Sequence, residues 1–202
     1  MHPNPAFRTA ETNRNLAFAR DRGFGVLAVN ADDGPLLSHI PFLVSEDGTS
    51  ADLHLVRSNP IARMGETQAL IAVSGPDGYV SPDWYDVKDQ VPTWNYVAVH
   101  LRGRLEPLPH ADMHDMLDRQ SAAYEARLAP KPPWTTAKMT PEVLTRMIRQ
   151  ILPFRLHIAE VSGTWKLNQN KTAEARQSAA DQITSGLGSE LEMLRELMRK
   201  AD

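Results

Sequence analysis

The sequence predicts an α+β protein, mainly β, in which six short antiparallel strands close on themselves and helices stand at the start, middle and end. Three observations predict it. Short apolar runs are bounded by Gly, Pro and Asp; apolar and polar residues alternate regularly over Tyr96 to Leu105; and apolar residues recur at helical spacing among charges toward both ends of the chain.

The elements follow in order. Between Thr9 and Arg22, Ala10, Leu16, Phe18 and Ala19 sit among charges, with Thr9 and Thr12 as capping hydroxyls, and Gly23 stops the helix. Gly25 to Val29 is a strand, Asp32-Asp33-Gly34-Pro35 a turn, and Leu36 to Val44 a second strand that Pro41 should break. Glu46-Asp47-Gly48 turns the chain again, Leu53 to Arg57 reads as a half-buried strand, and Asn59-Pro60 opens a short helix through Glu66. Ala69 to Ser74 is an apolar strand. Gly75 to Trp94 reads as a long loop, punctuated by Gly and Pro yet holding Tyr79, Trp84, Tyr85 and Trp94. A loop so long and aromatic is expected to be functional or interfacial, although packing is the favoured role for Trp84, Trp94 and Trp165.

Tyr96 to Leu105 sets Val97, Val99, Leu101, Gly103 and Leu105 against Ala98, His100, Arg102 and Arg104, a strand with one wet face. Helices are predicted over about 111–127 and 141–151, separated by Pro130 to Trp134, and Phe154 to Val161 is the sixth strand. From Thr172 the chain turns helical, and Leu187, Leu191, Leu194 and Met198 form an apolar face whose expected cover is a dimer partner. The expected division is a barrel domain over 1–185, with a helical insertion over about 110–151, and a C-terminal amphipathic helix over 186–202.

The 202 residues include no Cys, which excludes disulfides, thiolate metal sites and cysteine nucleophiles. No apolar stretch is long enough to span a bilayer and Met1 to Pro5 opens no apolar leader, so the expectation is a cytoplasmic protein with no membrane partner. A net charge of -3 and a pI near 6.2 give no overall attraction to nucleic acid. Asp32, Asp33, Glu46, Asp47 and Asp52, with no Lys or Arg between Ala28 and His54, are expected to be solvated loop acids. There is no G-x-x-x-x-G-K-[ST], no G-x-G-x-x-G after a strand and no H-E-x-x-H. His110 and His114 share a helical spacing, but no local acid completes a metal set.

Five clusters mix hydrogen-bonding side chains with flat or rigid ones: Ser38 to Phe42, His54 to Pro60, Tyr79 to Tyr85, Val91 to Tyr96, and Trp165 to Lys171. Such a mixture suits a flavin, whose ring needs apolar walls and a few donors and whose phosphate needs cations and hydroxyls. In order and spacing these clusters, through the phrases "SHIPF", "HLVRSNP", "YVSPDWY", "VPTWNYVAVHLRG" and "KLNQNK", resemble the PaiB-like family of FMN-binding negative transcriptional regulators, over about residues 1–183.

The resemblance implies a six-stranded split β-barrel, related to pyridoxine-phosphate-oxidase-like flavoproteins, working as a homodimer with FMN at its interface. It implies that Arg57, Ser58 and Asn59 grip the FMN phosphate with Arg63 one helical turn on, that Ser38 and His39 lie beside the ring, and that Lys166, Gln169, Asn170 and Lys171 close the site. For Ser38 and His39, ordinary strand hydrogen bonding is an equal alternative. DNA as a partner rests on the resemblance alone. The alternative function is a flavin-dependent oxidoreductase; no acid–base constellation is evident, and His39 and Tyr96 are the nearest candidates. The chain departs from the family pattern at Asn168, where relatives read Ser, and at Pro153 and Arg155 in the run into the last strand.

Overall fold

Gly23 ends the first helix because its backbone is left-handed, with φ of 57°, and its N–H closes back on Ala19 C=O at 2.9 Å. In the computed structural model, which describes residues 2–201, helix α1 accordingly runs Thr12–Arg22 and strand β1 begins one residue past the glycine, Phe24–Ala31. The remaining elements are β2 (Gly34–Val44), β3 (Ser50–Val56), β4 (Thr67–Val80), β5 (Thr93–Pro107), α2 (Met113–Glu125), α3 (Pro141–Ile148), β6 (Ile151–Lys166), α4 (Ala173–Gln182), β7 (Gly188–Ser189) and α5 (Leu191–Arg199). The strands form one sheet in the order β1-β2-β3-β6-β5-β4-β7, and a further antiparallel pairing of β1 with β4 closes six of them into a ring. The seventh strand, β7, is two residues long and pairs only with Asp77 and Gly78.

Two expectations about breakers are corrected. Pro41 does not interrupt β2. The ladder to β3 begins at Phe42↔Leu53, and Phe42 N–H donates to Gly23 C=O at 2.9 Å. Successive N–H groups alternate sides along a strand, so the donor missing at Pro41 falls where no ladder bond is due. Likewise the predicted long loop from Gly75 is strand as far as Val80, followed by a 3-10 turn over Pro82–Tyr85. Its glycines are points of close approach: a Cβ on Gly75 would come within 2.6 Å of Phe18 and 2.9 Å of Val97, and one on Gly78 within 2.8 Å of Leu194.

The chain packs as two compact units. One comprises Ala19–Ala72 and Leu101–Val161; the other comprises the described parts of Met1–Phe18, Val73–His100 and Ser162–Asp202. In the first, Leu27, Phe42, Leu53, Leu55, Phe154 and Leu156 are buried on strands, and α2 buries Met113, Met116 and Gln120 at helical spacing. At about 1.5–3 kcal/mol per large apolar side chain, these positions dominate the stability of the unit. Gly103 lets backbones meet, since a Cβ there would fall 1.8 Å from His157 C=O. In the second unit β5 keeps its predicted alternation at Val97 and Val99 and extends it back to the buried Asn95, Trp165 packs edge-on to Phe18 with centroids 5.4 Å apart, and Arg14 lies 4.0 Å over the Trp165 ring. Leu194 and Met198 of α5 are fully buried within the chain itself, not held open for a partner, while Leu187 is exposed. No helix of the described residues is long and apolar enough to cross a membrane.

Candidate functional site

In the first unit the site is built around the end of β3. Arg57 follows the last strand residue, and two bonds fix it: its N–H donates to Gln150 C=O at 2.8 Å and its Nε to Arg149 C=O at 3.0 Å. Asn59 N–H closes on Val56 C=O at 2.9 Å, and Pro60 then starts a 3-10 turn, Pro60–Arg63. The Asn59 side chain is engaged internally, Oδ1 accepting from Ile61 N–H and Nδ2 donating to Ser38 Oγ, both at 3.0 Å. Ser38 and Asn59 are thus brought together. His39 is exposed on β2, paired in register with Val26.

Arg57, Ser58 and Arg63 are exposed, and among the described residues neither arginine has a carboxylate partner. Arg149, which holds Arg57 through its main chain, also lines a hollow of about 340 Å³ with Thr145, Arg146 and Glu142. Nothing in the sequence singles out Arg149, because its contact with Arg57 is made by a carbonyl that every residue carries.

The second unit holds the other four predicted residues, and three of them are engaged. Gln169 Oε1 accepts from Leu167 N–H at 2.8 Å, and its Nε2 donates to Trp165 C=O at 2.5 Å and Ala6 C=O at 3.3 Å. Lys166 Nζ donates to Thr93 Oγ1, and burial lowers its pKa from the ordinary lysine value. Lys171 Nζ donates to Gln90 Oε1 at 2.5 Å and lies 5.2 Å from the Tyr85 ring centroid. Asn170 is exposed. Asn168, the departure from the family phrase, is buried in the left-handed region with φ of 64°, and its Oδ1 accepts from the buried Tyr85 hydroxyl at 3.2 Å. Burial raises the Tyr85 pKa, against the hydrogen bond to Asn168.

The other departures also have a structural role in the first unit. Pro153 pairs with His54 in the β3–β6 ladder, and its carbonyl accepts from Leu108 N–H at 2.9 Å. Arg155 grips Asp52 with Nε and Nη2 at 2.6 and 3.0 Å, and Arg119 adds a third bond at 2.9 Å. Asp52 is therefore no solvated loop acid: it is 5% exposed. Burial alone would push its carboxyl up, but the bonds and charges of the two arginines outweigh it and hold the pKa below the ordinary value. His54, on the same strand, shares a hydrogen bond with Gln120, and burial pulls its pKa down. His110 and His114 contact Ile148 C=O and Thr136 Oγ1, and no metal-competent group of acids and histidines occurs among the described residues.

A ring of six antiparallel strands with flanking helices defines a split barrel. Solved structures of the same fold include the FAD and heme binding protein of Mycobacterium smegmatis, at TM-score 0.56 and 17% identity over 79% of this chain and 73% of that one. A conserved hypothetical protein of Mycobacterium tuberculosis aligns at TM-score 0.54 and 15% identity, over 82% and 91%. Residues 1–160 match the family model described as "Putative FMN-binding domain". The chain belongs to this family, and flavin is the cofactor the membership assigns. Protease synthase and sporulation protein PAI 2 of Bacillus subtilis is 25% identical over 196 residues, covering 95% of this chain and 93% of that protein, in keeping with the PaiB-like resemblance. An uncharacterized protein of Aspergillus fumigatus is 27% identical over 91% of both chains.

Proposed function

We propose that this protein is a cytoplasmic, homodimeric flavin-dependent regulator that holds the FMN phosphate at the turn following β3. The observation that carries the phosphate site is the pair of exposed arginines without carboxylate partners, Arg57 and Arg63, of which Arg57 is aimed by its two bonds to the 149–150 main chain. A phosphate dianion matches a guanidinium held this way, because a preset fork loses little freedom when it binds. Ser58 adds a hydroxyl donor, and Asn59 and Ser38 hold the turn in shape.

When bound, FMN supplies reversible electron-transfer chemistry and a visible chromophore. The residues of this chain bind and orient it. The regulatory role is supported by the family to which PaiB-like proteins belong and by the name of the Bacillus subtilis relative, which links that protein to protease synthesis and sporulation. With a net charge of -3, any DNA contact would have to be local.

The test is a titration of the apoprotein with FMN and with FAD, following flavin fluorescence and the mass of the assembly, in the wild type and in Arg57→Ala. FMN binding to a dimer, weakened in the variant, is the expected result; a folded protein that binds neither flavin overturns the site. A gel shift with the gene's own upstream DNA at several salt concentrations tests direct repression, and absence of binding even at low salt counts against it.

A further inference from the structure

The first unit contains an open-sided cavity of about 280 Å³ next to the turn that follows β3, sharing Val56 and Gln150 with the main-chain bonds of that turn. Its walls are Val56 at the end of β3, Leu117 on α2, Trp134, Leu144 and Met147 of α3, and Ile151 at the start of β6. No charged side chain lines it; Ser121, Thr136 and Gln150 are its polar members. The wall is tied down. Trp134 N–H donates to Glu125 Oε2 at 2.7 Å, Lys131 pairs with the same carboxylate, Lys138 Nζ donates to Pro133 C=O at 2.8 Å, and Thr136 Oγ1 donates to Asp118 at 2.7 Å. The proline-rich segment 130–134 is therefore braced, so the space does not depend on a floppy loop. Trp134 also faces a second hollow, of about 520 Å³, lined by Ala122, Ala126 and Pro133, so neighbouring side chains leave it uncovered there too.

We propose that this cavity is a binding site for a small uncharged aromatic molecule of one or two fused rings. Size, charge and geometry each point that way. A dry apolar cavity of roughly 150 Å³ holds benzene, so a space near twice that suits a two-ring guest. The uncharged lining would leave an ionised group desolvated without a partner, which excludes carboxylates and ammonium ions as guests. Trp134 offers a flat face for offset stacking, and the Ser121 hydroxyl offers one hydrogen bond to a ring N–H or hydroxyl. Val56 and Met147 are 54% and 53% exposed, which puts the way in at their end.

The proposal does not depend on the flavin reading, and its test needs no flavin. Indole and indole-3-acetate are titrated calorimetrically into the full-length protein, the wild type and two variants: Leu144→Trp, which fills the cavity, and Met147→Trp, which blocks the exposed rim and is expected to fold unchanged. The expected result is that indole binds with a negative heat-capacity change, that indole-3-acetate does not bind, and that both variants weaken indole at least tenfold. No heat with indole up to its solubility limit overturns the site, as does equal affinity in the wild type and a folded Met147→Trp. A variant that changes the mass of the assembly and leaves indole binding intact also overturns it, because the face is then covered by a second copy of the chain.

Discussion

The turn at 57–63 and the segment at 166–171 are both rich in cations and hydrogen-bonding side chains, two arginines, a serine and an asparagine against two lysines, a glutamine and two asparagines, yet the chain uses them differently. In the turn, main-chain bonds and the Asn59 side chain shape the backbone and leave Arg57 and Arg63 exposed with no carboxylate partner among the described residues. In the segment, the side chains do the shaping: Gln169 satisfies three main-chain groups, Lys166 and Lys171 reach Thr93 and Gln90, and Asn168 receives the Tyr85 hydroxyl. A polar residue in a shared phrase can therefore be there for a ligand or for the backbone. What separates the two cases is whether its hydrogen-bonding groups are already satisfied.

The contrast breaks or holds under mutation, and the largest effect is expected at Asn168. Asn168→Ala leaves the Tyr85 hydroxyl without its acceptor and puts alanine in a left-handed conformation, so a loss of about 2–4 kcal/mol is expected in urea unfolding. Gln169→Ala should cost about 1–3 kcal/mol by the same assay; if it leaves stability untouched and weakens FMN instead, the segment is a ligand surface and the contrast fails. Arg57→Ala should do the reverse, keeping stability within about 0.5 kcal/mol while weakening FMN at least about tenfold, or ~1.4 kcal/mol.

The smallest effect concerns pH. His54 is half-buried and its pKa is lowered in the fold, so between that lowered value and the ordinary 6.5 the unfolded chain binds a proton that the folded chain resists. Stability should fall as pH drops through 6.5, and His54→Leu should flatten that slope in melts recorded between pH 7 and 5. Asp52 does not contribute in that window: its folded value is lowered from 3.8, so its stabilisation is complete above 3.8 and is lost only as pH falls toward the lowered value.

Much of the fold was legible because the longer strands bury alternate residues along much of their length. The alternation over 96–105 marked β5, and Asn59-Pro60 marked the turn that ends β3. Strand lengths were less legible. Proline and glycine read as breakers wherever they occur, whereas Pro41 falls where no donor is needed and Gly75 and Gly78 are where side chains press on the backbone. In the candidate site, the Arg57 turn could be found from its residues. The engagement of Gln169 could not, since its partners are main-chain carbonyls and an N–H, one of them as far away in sequence as Ala6. Asp52 failed as a solvated acid for a similar reason: its partners Arg119 and Arg155 lie 67 and 103 residues downstream.

Gly23 ties together residues equally far apart. Its carbonyl lies 2.6 Å from the Tyr124 hydroxyl, which also approaches Phe42 C=O at 2.9 Å, and a Cβ on Gly23 would come within 2.8 Å of the Tyr124 ring. Two positions 101 residues apart are thus a single unit of inheritance. Any side chain at 23 would collide with the tyrosine as well as strain the turn, and loss of the tyrosine would free space at 23 and remove the bond across two carbonyls. Among descendants of this sequence the pair should be retained together or replaced together, and a lineage that changes one alone should carry a compensating change close by.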